Sequence, residues 1–160
     1  MSPRLALRTT SNLLNRATEH LLSALGLSMA LVIGLQVFCR YVLNHSLFWS
    51  EELARAMLVW LTFLGAAVAW HRGLHPGVDV LARRLPTKMR CLARLLVQVA
   101  ALAFFVTMII GGWKYCWFVR HQISPALAMP RWIVPAVIPV SGLLLLIHTL
   151  AELLESPAGT

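Results

Sequence analysis

The sequence predicts an all-α integral membrane protein in which residues 1–160 form a single domain with four transmembrane helices. Hydrophobic residues make up 59% of the chain and charged residues only 12%, which leaves too little polar surface for a water-soluble fold. Apolar runs also recur at lengths near the roughly 20 helical residues that cross a hydrocarbon layer about 30 Å thick. Because unpaired backbone groups are costly in lipid, these runs predict helices.

The apolar runs place the helices at about residues 20–43, 51–72, 92–119 and 131–153. The first run is longer than the core of a signal peptide, and no small-residue cleavage site follows it, so we expect the N-terminal segment to stay on the protein. We interpret residues 11–20 as an amphipathic segment at the membrane surface, with Leu13, Leu14 and Ala17 on its apolar side.

Helix two opens with the charged segment FWSEELAR at residues 48–55. Ser50 is the expected N-cap, and Glu51 and Glu52 fall in the first turn, where the helix dipole favours anions. Arg55 follows one turn later, and the short loop before Trp49 brings Arg40 of helix one towards the same end of the hairpin. Two interpretations stay open: a well-started helix at a membrane interface, or an ionic cluster that fixes the hairpin register.

A short interfacial helix is predicted on the cytoplasmic surface between helices two and three. The segment HRGLHPGVDVLARRLP at residues 71–86 breaks at glycine and proline, and it then places apolar residues on one face. Its arginines are expected to lie over anionic lipid headgroups. His75 and Asp79 are spaced to hydrogen-bond, whereas a metal site would need ligands that the local sequence lacks.

Helix four carries Pro135 and Pro139 near its start, and this pair predicts a bend. Proline removes backbone donors from the helix and crowds the preceding turn. We interpret the bend as a feature of packing geometry, with a gating hinge as the less favoured alternative.

Small residues recur every four positions on two of the helices. They allow a neighbouring backbone to approach closely, which is typical of helix interfaces in membranes. The two stripes either meet each other or meet a separate subunit; they consist of Gly26, Ala30 and Gly34 on helix one and of Gly65, Ala69 and Gly73 on helix two.

The distribution of basic residues predicts the orientation in the membrane. Nine of the 14 lysines and arginines fall in the N-terminal segment or between helices two and three, so both termini are expected in the cytoplasm. We attribute the net charge of +8 to this topology and to attraction for anionic lipid rather than to binding of nucleic acid. An aromatic belt is expected at the opposite helix ends: Phe48, Trp49, Trp113, Tyr115, Trp117, Phe118 and Trp132.

No pattern of catalytic residues occurs, so we expect a protein that is not an enzyme and binds no cofactor. Cys39, Cys91 and Cys116 have no paired spacing and are predicted to be free thiols. The helix interiors offer only mild polar groups, whereas a self-sufficient carrier normally shows intramembrane charge or broken helices.

Two other function classes stay open. A haem-carrying membrane anchor of an oxidoreductase would need two histidines at matched depth, from His20, His71 and His148. A small proton-coupled exporter would need a carboxylate inside a helix, whereas Glu51 and Glu52 fall at a helix end.

An ordered set of motifs resembles the small four-helix membrane subunit, or DctQ-type subunit, of tripartite ATP-independent periplasmic (TRAP) transporters. The set comprises QVFCRYVLN at residues 36–44, WSEELARAMLVWLTFLGAAVAWHRGLHPGVDVLARRLP at residues 49–86 and SPALAMPRWIVPAVIPVSG at residues 124–142. The residues that match it are Arg40, Trp49, Glu52, Arg55, Gly65, His75 and Asp79, and Pro76 departs from it.

This resemblance implies a scaffold in the bacterial inner membrane. In such transporters a large membrane subunit binds substrate and sodium, and a periplasmic binding protein delivers organic acids. The chain is therefore expected to support the large subunit and to help dock the binding protein. Sodium is expected on the large subunit.

Overall fold

A computed structural model describes residues 3–72 and 87–155 of the chain. Within these ranges four α-helices form, together with a 3-10 helix at Arg131–Ile133 that precedes the last of them. We number the helices α1 (Pro3–Tyr41), α2 (Phe48–His71), α3 (Thr87–Val119) and α4 (Val137–Glu155). The predicted interfacial helix, with His75 and Asp79, lies outside the described residues.

Each of the four helices supplies a segment that is long and apolar enough to cross a membrane. The segments are Thr9–Tyr41, Phe48–His71, Leu95–Val119 and Arg131–Leu153, the last of which includes the 3-10 turn. Apart from one isolated bridge between Ile123 and Pro130, the described ranges contain no β-structure. The predicted class, an all-α protein with four membrane-spanning helices, is confirmed.

Helix α4 is the centre of the bundle and packs against the other three helices, while α1 also packs against α2. The buried core at this junction contains Ala67, Phe105 and Leu145. The indole of Trp70 meets the ring of Phe105 edge-on, with 4.9 Å between the ring centroids. Apolar side chains of α2, α3 and α4 therefore pack together in this core.

The two ends of the bundle differ in character. We call the end at which α1 begins and α4 finishes the termini end, and it also holds the end of α2 and the start of α3. We call the opposite end the loop end, where residues 42–47 and 120–130 connect the helices. Contacts between α1 and α4 define the first end, and a contact between α2 and residues 124–126 defines the second.

Helix α1 begins at Pro3, much earlier than the predicted residue 20, and residues 11–20 are part of it. Ser11, Asn15 and Thr18 are buried, whereas Leu13 is 67% exposed. Leu13 is therefore exposed, as an apolar side that faces lipid would be, and the placement of residues 11–20 at the membrane surface stays a prediction. The buried side carries polar residues that have polar partners within the protein, since the Ser11 hydroxyl lies 2.8 Å from Nδ1 of His148.

Helix α2 also begins earlier than expected, at Phe48, and its N-cap is Leu47 without a side-chain capping bond. Ser50 lies inside the first turn and is fully buried. Its hydroxyl donates to the carbonyl oxygen of Leu47 at 2.7 Å. The prediction that Ser50 is the N-cap is wrong because the hydroxyl bonds backwards to a carbonyl instead of forwards to an amide.

The two prolines of helix four lie at its beginning. Pro135 lies in the turn between the 3-10 helix and α4, and Pro139 is the third residue of α4. Amide groups in a first helical turn have no partner within the helix, so proline costs little there. The regular helix starts only at Val137, and the bend itself stays a prediction.

Two glycines permit the closest packing between α3 and α4. A Cβ placed on Gly112 would lie 2.7 Å from Cδ of Pro139, and one placed on Gly142 would lie 3.0 Å from Cγ1 of Ile109. The stripe glycines that the sequence singled out behave differently, because a Cβ on Gly26, Gly34 or Gly65 would meet nothing within 4 Å. The two predicted stripes therefore do not pack against each other through these glycines.

Candidate functional site

The loop end begins with a tight connection from α1 to α2. Backbone bonds from Val42 to Phe38 and from His45 to Cys39 close the last turn of α1. Asn44 follows with a φ of 50°, a left-handed conformation that asparagine tolerates better than most residues. This geometry turns the chain directly into the charged start of α2.

Glu52 joins α2 to the loop between α3 and α4. Its carboxylate accepts a hydrogen bond from the hydroxyl of Ser124 and another from the backbone amide of Ala126, the latter at 3.1 Å. Arg131 adds a favourable electrostatic interaction. A carboxylate that receives both a hydroxyl and an amide holds a loop more firmly than a neutral acceptor would. Glu52 therefore works as a tether between two halves of the loop end.

The tethered loop has its own internal structure. The backbone amide of Ser124 donates to the backbone carbonyl of Met129 at 2.9 Å, and the backbone amide of Arg131 donates to the backbone carbonyl of Gln122 at 2.9 Å. Nη1 of Arg131 also donates to the side-chain oxygen of Gln122 at 3.2 Å. Ala128 closes the turn with a φ of 52°. We call residues 122–131 the tethered loop.

The other predicted ionic residues are placed separately. Glu51 accepts a bond of 3.4 Å from the side-chain amide of Gln36 on α1. Arg40 and Arg55 make no ion pair within 4 Å among the residues that the structure describes. The expected ionic cluster around Arg40 is thus not formed there. Long arginine side chains at a wet boundary gain little from fixed pairing, which accounts for this result.

Exposed aromatic rings lie at the same end of the bundle as the tethered loop. The exposed fraction is 38% for Trp49, which follows the α1–α2 connection, and 76% for Phe118, at the end of α3. The guanidinium of Arg120 lies over the ring of Trp117, 3.8 Å from its centroid, and its Nε donates to His121 at 2.9 Å. This surface combines rings that suit a membrane interface with polar groups that can face a protein.

A second polar group of residues lies at the termini end and joins three helices. The rings of His71 and His148 are in contact, with 4.6 Å between centroids, and His148 is only 4% exposed. The bond from Ser11 to His148 ties α1 to α4. Nη2 of Arg72 lies 2.8 Å from Oε1 of Glu19, which ties α2 to α1. These contacts fix the start of the long first helix.

Sequence reasoning missed the partners of both polar groups. Ser124 lies in a segment that we interpreted through its prolines, and Ser11 lies in the segment that we interpreted as amphipathic and at the membrane surface. A serine before a proline is a frequent signal for a turn, and that signal was available for Ser124. Nothing in the local pattern of Ser11 predicts a partner 137 residues away.

Comparison with known proteins is informative once this architecture is in place. The family model of the DctQ component of tripartite ATP-independent periplasmic transporters matches residues 29–158. The chain belongs to this family. The matched range includes the charged start of α2, the tethered loop and all of α4. The family is a transporter component, so the expectation of a protein that is not an enzyme is confirmed.

Individual DctQ-type relatives support the same assignment. The chain is 25% identical over 138 residues to a protein of Haemophilus influenzae named as a TRAP transporter small permease, covering 86% of each chain. It is 34% identical over 88 residues to the C4-dicarboxylate TRAP transporter small permease DctQ of Vibrio cholerae, covering 55% of this chain and 38% of the relative.

A third relative is much longer than this chain. The isethionate TRAP transporter permease protein DctMQ of Oleidesulfovibrio alaskensis is 28% identical over 138 residues, which are 79% of this chain and 21% of that protein. The chain thus spans well under two thirds of the Vibrio and Oleidesulfovibrio relatives. A DctQ-like segment can evidently be part of a larger permease polypeptide.

Proposed function

We propose that this DctQ-type chain is the small scaffold subunit of a sodium-coupled TRAP transporter that takes up organic acids. It would support a large membrane subunit that carries the substrate and sodium sites. The family match over residues 29–158 supports this proposal. The much longer relative DctMQ, in which a DctQ-like segment is part of one permease protein, supports it as well. The observation that carries it is the placement of charged groups at the two ends of the bundle.

The placement of the charges favours a scaffold over an independent carrier. Glu52 is engaged at the loop end, and Glu19 is engaged with Arg72 near the termini end. The helix interiors between these ends hold hydroxyls that bond to their own backbone, such as Thr62 to Leu58. A carrier needs polar groups that meet a solute near mid-membrane. The organic acid and sodium would therefore be bound by the partner.

The open small-residue face on α1 and α2 is our proposed contact for the large subunit. Substituents at Gly26, Gly34 and Gly65 would meet nothing within 4 Å in this chain, so another helix can approach there. Half-exposed leucines of α1 continue the same apolar surface, with Leu31 66% exposed and Leu35 48% exposed. Close backbone packing supplies association energy where lipid and protein are equally apolar.

We further propose that the loop end faces the periplasm and helps to dock a substrate-binding protein. Glu52 would keep the tethered loop in one conformation, which lowers the entropy lost on docking. Trp49 and the Arg120–Trp117 pair would provide aromatic and cationic contact groups. Both termini would then be cytoplasmic, in agreement with the larger number of basic residues at that end.

Affinity purification from native membranes tests the scaffold proposal. A tagged chain is expected to bring down a large membrane protein, and Gly65→Leu is expected to reduce its yield. Gly111→Leu on α3 is the matched control, because Gly111 also has open space around it. Absence of a large companion contradicts the proposal. Equal loss in both variants contradicts the assignment of the α1–α2 face.

Labelling from one side of the membrane tests the orientation. In a chain whose native cysteines are replaced by serine, Phe118→Cys at the loop end should react with an impermeant thiol reagent added to intact spheroplasts. Met89→Cys, which is 55% exposed at the start of α3, should react only after the membrane is opened. The reverse pattern would place the termini in the periplasm.

The contact between His71 and His148 argues against the haem-anchor alternative. A haem held by two histidines needs the rings on opposite faces of the porphyrin, with the iron between them. Here the two rings touch, with 4.6 Å between centroids, and His148 is bonded to Ser11. The exporter alternative would need a free carboxylate inside a helix, whereas Glu19, the carboxylate inside α1, is paired with Arg72 at the end of α2.

A further inference from the structure

The tethered loop exposes apolar side chains outside the segments that can span a membrane. Residues 120–130 lie between the spanning segments Leu95–Val119 and Arg131–Leu153. Within this connection Ile123 is 68% exposed and Met129 is 41% exposed. Contact with hydrocarbon does not account for their exposure, since neither residue belongs to a spanning segment. Exposed apolar side chains grouped on one loop are typical of a surface that contacts another protein.

Backbone bonds hold these two residues in one small hairpin. Ile123 pairs with Pro130 in an isolated antiparallel bridge. The backbone amide of Ser124 donates to the backbone carbonyl of Met129 at 2.9 Å. Glu52 of α2 fixes the same hairpin through the hydroxyl of Ser124. The apolar pair therefore lies on a loop whose conformation is set before a partner binds, which reduces the entropy lost on association.

Two arginines flank the apolar pair along the chain, and uncharged groups position both of them. The guanidinium of Arg120 lies 3.8 Å from the ring centroid of Trp117, and its Nη1 donates to the backbone carbonyl of Trp117 at 3.2 Å. Nη1 of Arg131 donates to the side-chain oxygen of Gln122 at 3.2 Å. A neutral partner orients a guanidinium without cancelling its charge, so both arginines keep the capacity to bind a carboxylate.

The loop end as a whole carries more positive than negative charge. Its basic residues are Arg40, Arg55, Lys114, Arg120 and Arg131. Its acidic residues are Glu51 and Glu52, and both accept hydrogen bonds from uncharged groups of this chain. Glu52 attracts Arg131 at longer range, yet among the described residues no carboxylate oxygen lies within 4 Å of a basic side-chain nitrogen at this end. Positive charge therefore remains for a partner to neutralise.

We propose that the loop end docks the substrate-binding protein at a surface on which carboxylates surround an apolar patch. This inference rests on the proposed orientation and docking role of the loop end. Its basic residues would then lie in the periplasm, where membrane topology usually places few lysines and arginines, so topology does not explain them. Arg120 and Arg131 pair with carboxylates of the binding protein, and Ile123 enters the apolar patch. Complementary charge accelerates association and makes it sensitive to salt.

Binding kinetics of the membrane complex test the role of the charges. This chain and its large subunit are placed in nanodiscs, and association of the substrate-binding protein loaded with its organic acid is measured at about 50 and about 300 mM salt. The wild type is expected to associate about tenfold more slowly at the higher salt. Arg120→Glu and Arg131→Glu should each slow association about tenfold at the lower salt, whereas Arg120→Lys should keep the salt dependence.

Two further variants separate the apolar contact from the charges and from general effects. Ile123→Ser should speed dissociation and leave the association rate unchanged, because an apolar contact forms only after the partners have met. Arg16→Glu, at an exposed site on α1 near the termini end, is the control for charge reversal and should bind as the wild type does. Arg120 lies outside the hairpin bonds, so Arg120→Glu tests the charge even if Arg131→Glu disturbs the loop.

Three results would overturn the proposal. Association that is independent of salt and unchanged in both charge-reversal variants would leave docking in place but remove its proposed chemistry. Normal docking by Arg120→Glu, together with loss of bound phosphatidylglycerol in native mass spectrometry, would assign the arginines to lipid headgroups. Absence of binding by the wild-type complex would overturn the docking role of the loop end as well, while the scaffold role would stand.

Discussion

Replacing Gly112 by alanine should destabilise the bundle, although the change adds only one methyl group. The new Cβ would lie 2.7 Å from Cδ of Pro139 and 3.0 Å from its backbone nitrogen. Ordinary contacts between carbon atoms are about 3.5–4.0 Å, so α3 and α4 would have to separate by roughly 1 Å. The proline ring and the backbone cannot rotate away as a flexible side chain could. Overpacking of this kind costs about 1–3 kcal/mol.

Gly111→Ala is the control for this prediction, because a Cβ there meets nothing within 4 Å. Alanine favours a helix over glycine by about 1 kcal/mol, so this variant should be neutral or slightly more stable. Because the helix-propensity gain is common to both variants, we expect the apparent unfolding temperature in one detergent to be several degrees lower for Gly112→Ala than for Gly111→Ala. Equal unfolding temperatures in the two variants would refute the close packing of α3 on α4 at Pro139.

Three further substitutions probe the two polar ends of the bundle. Glu52→Ala removes the hydrogen-bond acceptor that holds the tethered loop, so limited proteolysis should cut that loop faster than in the wild type. Glu51→Ala is the control and should leave the cleavage rate unchanged. Equal cleavage rates in the Glu52→Ala variant and the wild type would contradict the tether. Ser11→Ala removes a buried bond to His148 and should lower the free energy of unfolding by about 1 kcal/mol. Arg72→Ala removes a partly exposed ion pair and should change the unfolding temperature little; a large drop would mean that the pair is shielded from solvent.

The fold class and the number of helices could be predicted from the sequence because the lipid environment imposes simple rules. Apolar runs of sufficient length must be helices, and short connections make neighbours antiparallel. Helix ends were less predictable. Serine is a favoured N-cap residue, yet α2 begins before Ser50. The Ser50 hydroxyl donates to the backbone carbonyl of Leu47 instead of accepting from a backbone amide.

Contacts between distant residues were not predictable from local patterns. The charged start of α2 was recognised, but its partner was expected to be Arg40 and proved to be Ser124 in a loop 72 residues away. The closely packed glycines were likewise Gly112 and Gly142 and not Gly26, Gly34 or Gly65 of the two stripes. Spacing along one helix shows that a close approach is possible, whereas the facing helix decides where it happens.

The most direct test of the account is solute uptake into proteoliposomes with an inward sodium gradient. This chain alone should give no uptake of a labelled organic acid. Addition of the large membrane subunit and a loaded substrate-binding protein should give sodium-dependent uptake, and omission of this chain should abolish it. Ion-coupled uptake by the isolated chain, or full activity without it, would contradict its role as a scaffold subunit.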